Sequence, residues 1–173
     1  LSDLHALSSL SIPADILTAL DYRPFRFAMQ PVHHLVRMAH IVSMSGFFGA
    51  ICLLDLRLAD FRTMVSLRAL SIAIMPWIYA TFAVAMISGL LLFFYDPVHV
   101  ASHAYFSLKM ILIGLGMVNS ALFGRWGFGD AMHATGPMPV RARIAGSLSL
   151  AIWCGVMICA CLNSEAAPKV LLR

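Results

Sequence analysis

QPVHHLVRMAHIVSMSGFFGAICLLDLRL, residues Gln30 to Leu58, is the stretch that decides the fold. Pro31 follows Gln30 at a first-turn position, where its missing N–H would be unpaired anyway, and the run behind it is apolar for long enough to cross a bilayer. Its first third carries His33, His34, Arg37 and His40. At about 100° per residue, His33, Arg37, His40, Met44 and Phe47 fall into one narrow stripe of a helix. A charged group at mid-bilayer costs about 2.5–3.5 kcal/mol on insertion scales, so such groups face a protein interior and serve a purpose. The stripe is therefore where a function is expected.

Composition agrees with a membrane location. The 173 residues are 61% hydrophobic and 12% charged, with a mean hydropathy of +0.86. These values exclude an ordinary soluble domain. The pI near 9.1 does not indicate nucleic acid, because Lys and Arg sit at the ends of apolar runs instead of forming one patch. LSDLHALSSL lacks a basic segment followed by an apolar one, which predicts no cleavable signal peptide and insertion starting with the first long helix. Cys52, Cys154, Cys159 and Cys161 lie within apolar runs and show no metal-type spacing, so they read as packing residues.

The fold class predicted is all-α, a four-helix transmembrane bundle preceded by an interfacial segment. Residues 1–30, broken by Pro13 and Pro24, form that segment, with a short helix from Ser2 through Leu10, a second from near Pro13, and Tyr22, Phe25 and Phe27 as interfacial anchors. Arg23 and Arg26 are expected toward lipid phosphates. The transmembrane domain spans residues 31–163. Its crossings are about Val32 to Leu58, Pro76 to Tyr95, Ser102 to Phe123 and Val140 to Leu162, and residues 164–173 form a polar tail. DLRLADFRTMVSLR, between the first two crossings, reads as a surface-lying turn or helix in which Asp55 pairs with Arg57 or Arg62.

Orientation follows from basic residues. Arg57, Arg62, Arg68, Arg125, Arg141 and Arg143 lie on one side, against Arg23, Arg26, Lys169 and Arg173 on the other. This bias places both termini on the periplasmic side of a bacterial inner membrane, and His33, His34, His40, His99, His103 and Lys109 toward the outer half.

His40 lies eight residues beyond Val32, and Lys109 seven beyond Ser102, so the two reach similar depth on parallel helices. Haem b needs imidazole ligation, cations for its propionates and small residues beside the macrocycle. The chain offers His40 as axial ligand, Arg37 and Lys109 as propionate partners, Gly46 and Gly49 as clearance, and His103 or His33 as a second ligand. Copper is the rival metal, with His33, His34, Met38, Met44, His99 and His103 supplying imidazoles and thioethers. The bland reading of His40 is an interhelical hydrogen-bonding residue, and of Lys109 a snorkelling cation. Phosphate loops, carboxylate dyads and nucleophile–base pairs are missing from the sequence, so no reaction is assigned.

The order DLRL (55–58), SGLLLFF (88–94), FSLKM (106–110) and NSALF (119–123) resembles a family of uncharacterised four-helix bacterial membrane proteins, and the resemblance covers about residues 30 to 123. More remotely, a His on the first helix and a Lys on the third are similar to HemJ-type protoporphyrinogen oxidases and CopD-type copper-resistance proteins. The former resemblance implies haem b on His40 with Lys109 nearby. Gly124 stands where related sequences carry a histidine. The expected function is a membrane-anchored b-type cytochrome passing electrons to quinone or to a membrane or periplasmic redox partner subunit. The alternatives are a structural subunit of a larger complex without its own cofactor, a copper-binding membrane protein, and a porphyrinogen-oxidising enzyme.

Overall fold

A computed structural model of the chain describes residues 14–61, 65–103, 105–134 and 136–164. Among these, eight helices and no strand occur: α1 (Ala14–Leu20), α2 (Arg23–Met29), α3 (His33–Leu58), α4 (Leu67–Tyr95), α5 (Pro97–Ala101), α6 (Phe106–Trp126), α7 (Phe128–Met132) and α8 (Val140–Ser164). Four of them, α3, α4, α6 and α8, are long and apolar enough to cross a membrane. The protein is a multi-pass, all-α membrane protein whose apolar helices contact the bilayer. The helix expected over Ser2 to Leu10, the polar tail and Arg62 lie outside the described residues.

The long helices form three seams. α3 packs along α4 and along α8, and α6 packs along α8, whereas α4 and α6 do not pack along their lengths. We call the end at which α3 begins the histidine end and the opposite end the DLRL end. Large apolar side chains such as Ile41, Val42, Ile72, Ile87 and Val118 remain exposed around the bundle, as lipid-facing residues do. Since lipid tails are as apolar as leucine, close side-chain packing holds such helices together. Phe47 and Trp153 meet edge to face at 4.6 Å, and Phe82 stands 6.0 Å from Trp153, tying α3, α4 and α8 at mid-height. A Cβ on Gly116 would come within 2.9 Å of Trp153, so only glycine lets α6 approach that ring.

The second crossing differs from expectation. α4 starts at Leu67 and carries Pro76 inside, giving 29 residues, or about 43 Å. The start is set by Ser66, whose side chain accepts a hydrogen bond from the Ala69 amide at 3.2 Å. A proline within a lipid-embedded helix is tolerated because neighbouring helices and local adjustments satisfy the freed backbone groups. Hence Pro76 does not begin the helix, and the nine residues before it, 67–75, belong to α4. The third crossing also shifts: Pro97–Ala101 forms its own turn, capped by Asp96, and α6 begins only at Phe106.

At the DLRL end, α3 stops where Asp60 adopts a positive φ of 70° and the Phe61 amide reaches back to the Leu56 carbonyl at 3.0 Å. This is the reverse turn that closes many helices, with a short polar side chain in place of glycine. Arg57 Nε donates to the Val65 carbonyl at 2.7 Å and Nη1 lies 3.7 Å from Asp60. The expected pairing of Asp55 with Arg57 is therefore replaced. Arg57 is turned to the loop, and Asp55 points the other way into the α3–α8 seam. Arg26 likewise is not directed to lipid phosphates: its Nε donates to the Tyr95 carbonyl at 3.2 Å, and Nη2 pairs with Asp21 at 2.9 Å and Asp96 at 3.6 Å.

Candidate functional site

The buried stripe of α3 runs through Ser43, Phe47, Ile51, Leu54 and Leu58. His40 belongs to it and is half-buried. Its Nδ1 lies 2.9 Å from the Ala85 carbonyl and 3.0 Å from Ser88 Oγ on α4. A carbonyl only accepts, so the proton is on Nδ1, and Ser88 Oγ, which itself donates to Val84 at 2.6 Å, accepts as well. Nε2 then carries the lone pair, and no residue among those described hydrogen-bonds it. The ring rests on Gly89, where a Cβ would stand 3.0 Å from Cε1. Any side chain at Gly89 would displace the imidazole.

Lys109 on α6 lies within electrostatic range of both His40 and Cys159. Its ammonium also sits over the Phe106 ring at 5.8 Å, a cation–π distance. α6 begins four residues later than the spacing indicated. These groups form a polar layer between two apolar ones. Toward the histidine end, Phe93 and Phe106 stack at 5.7 Å with an interplanar angle of 9° and join Leu17 and Ala101. Toward the middle lies the Phe47, Phe82 and Trp153 cluster.

The other expected site residues are elsewhere. Arg37 is exposed. On a helix it stands about 60° from His40, enough to leave a seam one ridge wide, and its long side chain reaches outward. Gly46 faces Thr81, whose Cγ2 would be 3.4 Å from an added Cβ, and Gly49 looks into open space. Neither lies beside the His40 ring. His33 stacks on Tyr95, with ring centres 4.6 Å apart. His103 lies beyond α5, its Nδ1 2.9 Å from the His99 carbonyl.

Ala85, Ser88, Gly89 and Cys159 were not anticipated. Ser88 and Gly89 open SGLLLFF, and a small-residue pair there was the available signal, yet only helix pairing tells that it meets His40. Among the described residues no group of three or more His, Cys, Asp or Glu side chains converges as a metal site. Only His99 and His103 face one another, at 4.9 Å. Hollows on the surface include one of about 370 Å³ near Asn119, Trp126 and Arg141 and one of about 250 Å³ between Tyr22, Phe25 and Phe94. Both are away from His40.

A second polar layer occupies the DLRL end. Asp55, Ser71 and Ser149 are 2%, 3% and 2% exposed. Among the described residues, Asp55 Oδ2, Ser71 Oγ and Ser149 Oγ have no hydrogen-bond partner. Asp55 and Ser149 interact across the α3–α8 seam, but loosely, short of a well-formed hydrogen bond. In comparisons with known proteins, no protein-family description, curated protein or solved structure matches the chain.

Proposed function

We propose that this protein is a membrane-anchored haem b subunit in which His40 Nε2 would be the one iron ligand supplied by the chain and Lys109 would pair with an acid side chain of the porphyrin. The observation that carries the reading is the 2.9 Å bond from His40 Nδ1 to the Ala85 carbonyl. Metal-ligating histidines typically donate their other ring N–H to a carbonyl or carboxylate, which holds the tautomer and raises the basicity of the free nitrogen. Here that nitrogen stays unspent, with Lys109 in electrostatic range and aromatic clusters toward both ends of the bundle.

The donor set fits one haem with a single protein ligand and does not fit two. His33 is stacked on Tyr95, and His103 lies beyond α5, outside the α3–α4 seam that holds His40. When bound, the iron porphyrin would supply one-electron redox chemistry. The chain's own residues would do the rest. Ala85 and Ser88 orient the imidazole, Lys109 neutralises an acid tail, and Gly89 leaves the ring room on α4. The excess of arginine at the DLRL end supports a bacterial inner membrane location with the histidine end and both termini periplasmic. A quinone or a redox partner subunit at that end would exchange the electron.

The test is a reduced-minus-oxidised spectrum of the purified protein reconstituted with haemin. The expected result is a Soret band that His40→Ala abolishes, and that Lys109→Gln retains with binding weakened about tenfold. Folded, monodisperse protein that takes up no haem would overturn the reading. A second reading, a structural subunit in which His40 only clasps α3 to α4, is favoured by the ring's two bonds to one neighbour and its close seat on Gly89. It predicts the same loss of stability in His40→Ala with no spectrum to lose.

A further inference from the structure

The turn between α4 and α6 carries a pair of imidazoles that the haem reading does not use. His99 and His103 are four residues apart, and their ring centres lie 4.9 Å apart at an interplanar angle of 78°. Side chains at this spacing share one face of a helical turn, the arrangement by which two histidines hold one ion in zinc-binding helices. His99 is exposed and His103 half-exposed, so an ion can reach them from water.

The separation itself is informative. With metal–nitrogen bonds of about 2.0–2.1 Å and about 1.1 Å from nitrogen to ring centre, each ring centre stands about 3.2 Å from a bound ion. Ligand angles between square-planar and tetrahedral then put the two centres about 4.5–5.2 Å apart. The observed 4.9 Å falls inside that range.

The turn is also held in place before any ion arrives. Asp96 Oδ1 accepts from the His99 amide at 3.2 Å, and Pro97 occupies a first-turn position where its fixed φ favours the helix. His103 Nδ1 must donate to the His99 carbonyl, 2.9 Å away, which leaves Nε2 as the nitrogen with a lone pair. The same carbonyl bond that orients metal-binding histidines generally is therefore present here. Ser102 Oγ donates to the His99 carbonyl as well, at 2.7 Å, stiffening the same turn. Asp96, which caps this turn, is paired with Arg26 at 3.6 Å.

We infer that His99 and His103 form a two-histidine site for a divalent late transition ion such as copper(II) or zinc(II), at the histidine end of the bundle and independent of His40. Imidazole suits these ions. Two protein ligands leave the remaining positions to water or to donors from another molecule, which suits capture and release more than a closed structural role.

The test uses the full chain in detergent, free of any polyhistidine tag and of haem, titrated with copper(II) and followed by calorimetry and electron paramagnetic resonance. One ion per chain is expected, with hyperfine splitting from two imidazole nitrogens. His99→Ala and His103→Ala should each weaken binding by about tenfold or more, because the second imidazole acts at a high effective concentration. His40→Ala should leave the titration unchanged, so this result and the haem result are separable. Zinc(II) competition reads out the same site without redox chemistry. Equal affinity in the His99→Ala/His103→Ala double variant, or a signal from one nitrogen only in the unmodified chain, would overturn the inference.

Discussion

The two polar layers of this bundle treat their buried groups in opposite ways. At the histidine end, His40 is only half-buried, and its bonded nitrogen has two acceptors on α4 at 2.9 and 3.0 Å. At the DLRL end, Asp55 is almost wholly buried, yet one of its oxygens and both nearby serine hydroxyls lack hydrogen bonds. A satisfied polar group in a low-dielectric interior stabilises and orients, whereas an unsatisfied one is a burden that the surrounding packing must carry. Stability at the DLRL end must therefore come from close backbone approach, and at the histidine end partly from hydrogen bonding.

That contrast can be broken most sharply at Gly146. A Cβ there would stand 2.7 Å from Leu58 Cβ and 2.9 Å from the Asp55 carbonyl oxygen, which is backbone and cannot swing aside. Gly146→Ala should lower stability by about 3 kcal/mol despite the better helix propensity of alanine, read as an early thermal transition in detergent. An unchanged transition would mean that α3 and α8 do not approach this closely.

A smaller loss is expected on the other side. His40→Ala removes two hydrogen bonds and leaves the Ser88 hydroxyl with its own helix carbonyls, so about 1–2 kcal/mol should be lost in the haem-free protein. No loss would show that the α3–α4 seam does not use the imidazole at all. The smallest effect belongs to Asp55→Asn, which keeps the shape and removes the ionisable carboxyl. Because that carboxyl has an oxygen without a partner, stability should stay within about 0.5 kcal/mol or rise. A marked fall would show that Asp55 is held by an interaction stronger than its loose contact with Ser149.

Much of the fold was legible in the sequence, since crossing helices must be long and apolar and their ends carry charge, proline or aromatic residues. α4 departs from the sequence expectation because Pro76, a residue favoured at helix starts, lies inside the helix, while Ser66 ten residues earlier carries the cap. The site was legible in part. Depth along the helices brings His40 and Lys109 to a similar level, and Lys109 lies within electrostatic range of the imidazole. Arg37, Gly46 and Gly49 were grouped with them by helical spacing, but spacing states which residues share a face and not which neighbour covers it. His33, assigned to the metal by its place on the stripe, is instead stacked on Tyr95.

By itself the sequence determined a four-crossing membrane protein with most of its imidazoles toward one end and most of its arginines toward the other, because hydropathy and charge act along the chain. Only the tertiary structure decided that His40 bonds Ala85, that Gly89 and Gly146 admit close neighbours, and that Asp55 turns away from Arg57. Those facts depend on the rotation and register of one helix against another. Rotation and register are set by which side chains fill which gaps, and no single segment contains that information.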